Sequence, residues 1–158
     1  MTDSCPLCDK LAHLRELPAD DVVWQFPHSV ALLGPWQYHT GYCILISRSH
    51  RVELHQLPPS LRSAFLNEMV VLSHAIAATF EPRKMNCELL GNQVPHLHWH
   101  LFPRRHDDPD NLKAVWLGLD RAEYDDIEKQ RLQTASISRS EITARLRATL
   151  QQMQAPTP

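Results

Sequence analysis

The sequence predicts an α+β domain in which a five-stranded, mostly antiparallel sheet carries one long helix and further helices at the C-terminus. Five short runs rich in β-branched and aromatic residues lie next to glycine or proline, as is typical of strands. A long run between the third and fourth of them has apolar residues at helical spacing, and two more helical patterns follow the fifth. This order of elements favours an α+β fold.

The predicted strands are, in chain order, Val22–Phe26, Ser29–Leu33, Tyr42–Ile46, Met85–Leu90 and Leu97–Phe102. We expect the fifth strand to stop at Pro103, because proline has no amide hydrogen for the sheet. The long helix is expected to begin at Pro58–Pro59, since proline suits the first helical position, and to end near Phe80.

The segment after the fifth strand is acidic and has the composition of a turn over residues 106–117. Two C-terminal helices are predicted at about Arg121–Leu132 and Glu141–Met153. Ser138 and Glu141 form a capping-box pattern at the start of the second helix.

Length and composition fit one ordinary globular domain. The chain has 158 residues, of which 43% are hydrophobic and 22% are charged. We expect a single domain over residues 1–154, with its core at about 5–105 and a C-terminal helical extension at 119–154. Residues 155–158 are expected to form a frayed tail.

The same composition excludes several classes of protein. A net charge of −2 gives no reason to expect a nucleic-acid partner. We see no apolar run that indicates a membrane span, and the N-terminus lacks the pattern of a signal peptide. These features predict a cytoplasmic protein. In that compartment the four cysteines, including the pair Cys5 and Cys8, indicate thiols or metal ligands rather than disulfides.

The run from His96 to Phe102 is the most informative part of the chain, because three histidines alternate with large apolar residues. In a strand, the imidazoles would line one face and the apolar side chains the other. Histidine transfers protons near neutral pH and is a common metal ligand. The pattern therefore predicts a functional site made from His96, His98 and His100. The alternative is a solvated, histidine-rich edge strand.

This run resembles the His-φ-His-φ-His-φ-φ signature of the histidine triad (HIT) superfamily. Gly91–Pro95 lies where many members carry a Gly-Gln-rich turn. The segment 41–50 resembles the family's glycine, strand and Pro-Lys-x-His segment. The likeness covers about residues 5–105, and Phe102–Pro109 further resembles a bacterial branch described as diadenosine polyphosphate hydrolase-like. The resemblance implies a HIT-like fold.

The resemblance implies a nucleotide hydrolase or transferase that cleaves at the α-phosphate of a nucleoside phosphate anhydride or phosphoramidate. His98 would attack the phosphorus and form a covalent nucleotidyl-histidine, since a neutral imidazole is a competent nucleophile near pH 7. His100 would hydrogen-bond a phosphate oxygen or the leaving group. Asn92 and Gln93 would be amide donors to the substrate, or else simple turn residues.

The resemblance also implies a structural zinc ion and no organic cofactor. Cys5, Cys8, His50 and His96 could form a closed tetrahedral site, which leaves no coordination position for water. The alternative is that both thiols are free and that His96 hydrogen-bonds within the triad. His55 is a weaker candidate ligand.

Two positions depart from the family's pattern. Tyr42 stands where many members have a fourth histidine, and His39 lies three residues earlier; Tyr42 is expected to contact the triad or the substrate. Gly34 stands, in an ungapped match, where well-known branches have a ribose-contacting Asn or Asp. Arg104 or Arg105 could reach a phosphate. Aromatic side chains that could stack on a base are Trp24, Phe26 and Trp36.

Two other functions compete with the enzyme. One is a nucleotide-binding regulatory or interaction module with little turnover, which the departures at Gly34 and Tyr42 favour. The other is a transition-metal site made by the three histidines of the triad. For both the enzyme and the regulatory module, the expected partner is a small-molecule nucleotide. The resemblance also implies a homodimer joined through the long helix and the fourth strand.

Overall fold

A computed structural model describes residues 5–158, and it contains one five-stranded sheet. The strand order is β1-β2-β3-β5-β4, and every neighbouring pair is antiparallel. The strands are β1 Val22–Gln25, β2 Ser29–Leu33, β3 Cys43–Ser47, β4 Lys84–Leu89 and β5 His98–Arg104. The predicted α+β class and all five strands are therefore confirmed. The prediction about a signal peptide falls partly on residues 1–4, which lie outside the described residues.

Within residues 5–158, five α-helices accompany the sheet. They are α1 Pro6–Ala12, α2 Pro59–Phe80, α3 Trp116–Ala122, α4 Asp126–Gln133 and α5 Arg139–Gln152. The start of α5 follows the predicted cap, because the Ser138 hydroxyl accepts a hydrogen bond from the Glu141 amide. Helix α1 was not predicted from the sequence.

Helix α2 is the long helix of the prediction, with proline in its first turn and a left-handed residue, Glu81, after its end. Its buried face includes Phe65, Leu72 and Ile76. By length and composition alone α2 could cross a membrane, at a mean hydropathy of 1.3. The sequence therefore contains one run that is apolar enough for a membrane span, contrary to the prediction. The feature is weak evidence for a membrane span, because core helices of globular domains share it.

The two faces of the sheet are covered by different helices. One face packs against α2 and α5, whose core residues include Phe65 and Leu146. The other face is covered in two places. Leu7 and Leu11 of α1 pack near Ile46 at one place, and α3 and α4 pack around Tyr42 and Phe102 at the other. A gap remains between α1 and α3, and the ends of β3 and β5 lie beneath it.

Two boundaries differ from the predicted ones. Strand β5 continues through Pro103 to Arg104, because β3 pairs with β5 only as far as Leu101 and a proline beyond that point removes no bond to β3. The helix predicted over 121–132 is two helices, and the Asp125 carboxylate caps the second. Within the segment expected to form a frayed tail, the Pro156 carbonyl accepts a hydrogen bond from the Trp24 indole at 2.9 Å.

Candidate active site and metal centre

A cavity of about 450 Å³ lies in the gap between α1 and α3, on the second face of the sheet. His98 and His100, at the start of β5, form part of its lining. Leu7 of α1 and Trp116 of α3 stand on its two sides. The other lining residues are Pro35, Trp36, Tyr42, Ile44, Leu90, Gly91, Asn92, Gln93, Val94 and Asp120. The alternation of the triad thus places two imidazoles at the cavity, while Leu97 and Leu101 enter the core on the other face.

His98 is held in a single orientation by its own strand. Its Nδ1 lies 2.6 Å from the backbone carbonyl oxygen of His96. A carbonyl can only accept, so Nδ1 carries a hydrogen, and in the neutral ring Nε2 carries the lone pair. The side chain is 8% exposed, and the ring lies edge-on to His100 with 4.8 Å between centroids.

His100 is bound on its other nitrogen. Its Nδ1 lies 2.8 Å from the Tyr42 hydroxyl, and its ring meets Trp116 edge-on at 4.9 Å. Burial, with a smaller effect of His98, lowers the pKa of His100 to about 4. The imidazole is therefore neutral at pH 7.

The Nε2 atoms of these two histidines are open to the cavity. Among the described residues, the buried side-chain nitrogens and oxygens that lack a partner are His39 Nδ1 and Trp99 Nε1. Nε2 of His98 and Nε2 of His100 are not in that group, and neither makes a hydrogen bond within the described chain. A substrate in the cavity can therefore reach both atoms.

Helix α3, which begins just before the predicted extension at 119–154, forms one wall of the cavity. Its Trp116 indole donates a hydrogen bond to the Glu88 carboxylate on β4, and Asp120 lines the cavity one turn later. The sequence predicted neither Trp116 nor Asp120 as a site residue. Trp116 lies in a segment with turn-like composition, which gave no signal of a helix there. Of the three C-terminal helices, α3 thus contributes residues to the described cavity lining.

Asn92 and Gln93 line the opposite rim and are exposed. They follow Gly91, whose φ of +104° needs glycine at this turn. Neither side-chain amide has a hydrogen-bond partner in the described chain, so both are available to a ligand. The predicted substrate-binding positions at 92 and 93 are thus at the cavity.

The four predicted zinc ligands come together in one cluster. One ligand atom from each of Cys5, Cys8, His50 and His96 lies within 4.8 Å of the others. The sulfur of Cys8 is 3.2 Å from Nδ1 of His50 and 3.5 Å from Nδ1 of His96. The sulfur of Cys5 is 3.4 Å from Nδ1 of His96. Ligands of a tetrahedral zinc ion lie roughly 3.3–3.8 Å apart, so the cluster fits that ion.

His96 has the tautomer that a metal ligand requires. Its Nε2 lies 2.8 Å from the Ser47 carbonyl oxygen, so Nε2 carries the proton and Nδ1 presents its lone pair to the two sulfurs. Metal-binding histidines usually have such an outer hydrogen bond. His96 precedes β5 rather than continuing it, and this lets its ring turn toward α1.

Arg104 is a correction to the predicted site. Its side chain is 3% exposed and its guanidinium donates to four internal acceptors. These are the Asp108 carboxylate, the Asn86 side-chain oxygen, and the backbone carbonyls of Asp110 and Lys113. The prediction that Arg104 binds substrate was wrong, because no donor is left over and the side chain is absent from the cavity wall.

The remaining predicted site residues also divide into those that line the cavity and those that do not. Of the three aromatic residues considered for stacking, Trp36 lines the cavity, whereas Phe26 is fully buried in the core and Trp24 binds the tail. Arg105 pairs with Asp107 outside the cavity. Trp36 is therefore the one candidate of the three that lines this cavity.

Comparison with known proteins agrees with this geometry. A family model described as "HIT domain" matches residues 15–107. "Protein hit" of Bacillus subtilis is 26% identical over 141 residues, which cover 86% of this chain and 92% of that protein. The adenosine 5'-monophosphoramidase of Saccharomyces cerevisiae is 24% identical over 106 residues, or 64% of this chain and 63% of the yeast protein.

Solved structures share the fold. A zinc-bound histidine triad family protein from Mycobacterium smegmatis superposes with a TM-score of 0.67 at 19% identity, over 96% of each chain. A histidine triad protein from Marinobacter aquaeolei VT8 has a TM-score of 0.62 at 26% identity, over 87% of this chain and 94% of that one.

Proposed function

Because the chain belongs to the HIT family, we propose that it is a nucleotidyl hydrolase or transferase that forms a covalent nucleotidyl-histidine on His98. The observation that most directly supports this proposal is the 2.6 Å hydrogen bond from His98 Nδ1 to the backbone carbonyl oxygen of His96. In the neutral ring, that hydrogen bond leaves the lone pair on Nε2, which faces a cavity of about 450 Å³. The site then needs no separate base to activate it.

The reaction has two displacements at the α-phosphorus. His98 Nε2 attacks, a P–N bond to the imidazole forms, and the bond to the leaving group breaks; the leaving group takes its proton from solvent. Water then attacks the phosphorus, the P–N bond breaks, and nucleoside monophosphate leaves while the water's proton returns to solvent. His100, with its ring 4.8 Å away, stabilises charge on the phosphate oxygens.

The charges at the cavity favour a phosphoramidate over a polyphosphate. Among the described residues that line it, none is lysine or arginine, and Asp120 brings a carboxylate to the wall. A dinucleoside polyphosphate carries a negative charge on each phosphate. No cationic side chain in the described cavity lining would offset those charges. An amine leaving group suits this wall, and the yeast relative is named as a monophosphoramidase. We therefore propose an amine as the preferred leaving group.

Product analysis by liquid chromatography tests the proposal. Wild-type protein and His98→Ala are incubated with adenosine phosphoramidate, dinucleoside polyphosphates, aminoacyl-adenylate analogues and nucleotide sugars. We expect AMP from the phosphoramidate, faster than from the polyphosphates, and a loss on the order of 10³-fold or more in His98→Ala. His106→Ala is the matched control, because His106 is exposed on a different surface.

Each other outcome has a defined meaning. Turnover by His98→Ala within tenfold of wild type would exclude the covalent role. Preference for a polyphosphate would overturn the choice of leaving group alone. Nucleotide binding by calorimetry without product, at stoichiometric protein, would favour the regulatory module over the enzyme.

We further propose that Cys5, Cys8, His50 and His96 hold a structural zinc ion. The support is the ligand spacing and the tautomer of His96, and a similar fold is zinc-bound in the M. smegmatis protein. Zinc would link the N-terminal segment to the end of β3 and the start of β5. With four protein ligands it would have no open position for water, so its contribution is to folding.

We also propose a homodimer through β4 and α2. Strand β4 forms one edge of the sheet, and an open edge is a ready surface for strand pairing. Val70 is an apolar residue on α2 that is 56% exposed. Light scattering should give twice the chain mass; a monomeric mass at micromolar concentration would exclude this dimer.

A further inference from the structure

The contact between Tyr42 and His100 fixes which atom donates. The phenol oxygen and His100 Nδ1 are 2.8 Å apart, and Tyr42 is 1% exposed. Two arrangements are possible: the hydroxyl donates to Nδ1, or Nδ1–H donates to the oxygen. In the second, the phenol hydrogen would be buried with no acceptor, since Tyr42 has no other side-chain hydrogen bond in the described chain.

A buried donor without an acceptor is costly, so the hydroxyl donates. Burial also raises the pKa of the Tyr42 phenol, which therefore keeps its proton. Nδ1 of His100 is then the acceptor and Nε2 carries the ring's hydrogen. Nε2–H faces the cavity.

The two cavity histidines thus have opposite tautomers. His98 has hydrogen on Nδ1 and a lone pair on Nε2, because its partner is a carbonyl. His100 has a lone pair on Nδ1 and hydrogen on Nε2, because its partner is a phenol. One side chain can attack a phosphorus atom, and its neighbour can donate a hydrogen bond to a phosphate oxygen without giving up a proton.

The tyrosine can hold this position only because residue 34 is glycine. A Cβ atom at Gly34 would lie 2.2 Å from Cε1 and 2.4 Å from Cδ1 of the Tyr42 ring. Real Cβ atoms do not approach so closely, and the ring cannot retreat because it stacks on Phe102 with 3.8 Å between centroids.

The two backbones cannot separate either. The Gly34 amide donates to the Tyr42 carbonyl at 2.9 Å. The buried side-chain nitrogen of Gln37, Nε2, donates hydrogen bonds to the backbone carbonyls of both Gly34 and Tyr42, at 2.8 and 2.9 Å. The two departures from the family's pattern are therefore a single packing unit.

We propose that Tyr42 is a positioning residue that sets the Nε2–H tautomer of His100, and that Gly34 is required for it. Its role in catalysis rests on the proposed function; the tautomer does not. Tyr42 was expected to contact either the triad or the substrate, and the structure favours the first.

Nitrogen-15 NMR of the imidazoles tests the tautomer directly in the full chain. In wild type we expect hydrogen on Nδ1 of His98 and on Nε2 of His100. In Tyr42→Phe, which removes one oxygen atom, we expect His100 to become a mixture of tautomers while His98 is unchanged. Hydrogen on Nδ1 of His100 in wild type, or an unchanged His100 in Tyr42→Phe, would overturn the proposal.

Kinetics test the consequence. We expect Tyr42→Phe to lower kcat by about 10–100-fold with little change in KM. His100→Gln keeps a donor near the position of Nε2, so adding Tyr42→Phe to it should cost no more than twofold. A full additive loss would contradict positioning through His100. If the wild type has no turnover, the proposed function fails while the NMR result still decides the tautomer.

Glycine variants test the packing unit. Gly34→Ala should shift the His100 tautomer as Tyr42→Phe does, because the ring must move. The matched control is Gly118→Ala, where the new Cβ would meet its nearest atom at an ordinary 3.6 Å. Wild-type spectra from Gly34→Ala would show that the ring accommodates a side chain and would remove glycine from the proposal.

Discussion

The two ends of strand β5 contrast in how they use buried polar side chains. His98, His100 and Arg104 lie on the same face of one strand, because they are separated by even numbers of residues. At the first end each imidazole has one nitrogen fixed by the protein and the other open to the cavity. At the second end the guanidinium of Arg104 makes internal bonds through all three nitrogens.

This difference distinguishes side chains that can act on a ligand from side chains that stabilise the fold. A buried polar atom with a protein partner stabilises the fold, and removing its partner is costly. A polar atom that is held in place but left open to a cavity can act on a ligand. The open atom, rather than the residue type or its position on the strand, marks the functional end.

The largest stability effect is expected at the structural end. Arg104→Met leaves Asp108 buried without its cation, so we expect the free energy of unfolding to fall by about 3–5 kcal/mol in urea titrations. The control is Arg105→Met, since Arg105 is 34% exposed and pairs at the surface. That change should cost about 1 kcal/mol or less. Equal losses in the two variants would mean that Arg104 is not a structural centre.

Breaking the zinc cluster should have the next largest effect. Cys8→Ser removes one ligand, so we expect elemental analysis to show loss of the single zinc ion per chain. If zinc is present at about 1,000 times its dissociation constant, its loss lowers the free energy of unfolding by about 4 kcal/mol at most. The control is Cys87→Ser, because Cys87 bonds Ser73 and lies outside the cluster.

The metal content also tests the competing metal site. If zinc stays at one ion per chain in Cys8→Ser, the cluster is not the site. If the content exceeds one ion and falls when His98 and His100 are replaced, the triad itself binds metal. The geometry argues against this, since His96 turns its lone pair toward the cysteines and His98 binds a carbonyl.

The sequence predicted those features that depend on local pattern. Alternation placed His98 and His100 on one face and Leu97 on the other, and Pro59 and Ser138 marked helix starts. Such signals lie within a few residues of the feature they determine. Resemblance to the family supplied the proposed zinc ligands. The Cys5–Cys8 pair, His50 and His96 are far apart in the chain and meet only in the fold.

The rest depends on contacts that no local pattern encodes. Arg104 carries the same charge whether it faces a phosphate or Asp108, and only the path of residues 105–113 decides between them. Trp116 reaches His100 because α3 folds back over the sheet. Gly34 and Tyr42 were two separate departures in the sequence, and they became one unit only when their contact was known.

The smallest effect concerns the pH dependence of stability at the functional end. The pKa of His100 is lowered by burial from 6.5 to about 4. As pH falls through 6.5, the unfolded chain binds a proton at this residue and the folded chain does not, so stability falls with pH until about pH 4. His39 is buried with the same shift and acts in the same direction.

For His100 alone this difference amounts to about 1–2 kcal/mol at pH 5 relative to pH 7. We expect urea unfolding at the two pH values to show a loss for wild type that is smaller by this amount in His100→Gln. The exposed His106→Gln should keep the wild-type loss. Because the Cys5, Cys8, His50 and His96 cluster is the same in all three proteins, its contribution cancels in the comparison. Equal losses in wild type and His100→Gln would mean that His100 takes up a proton in the fold, and a protonated His100 could not accept the Tyr42 hydrogen bond.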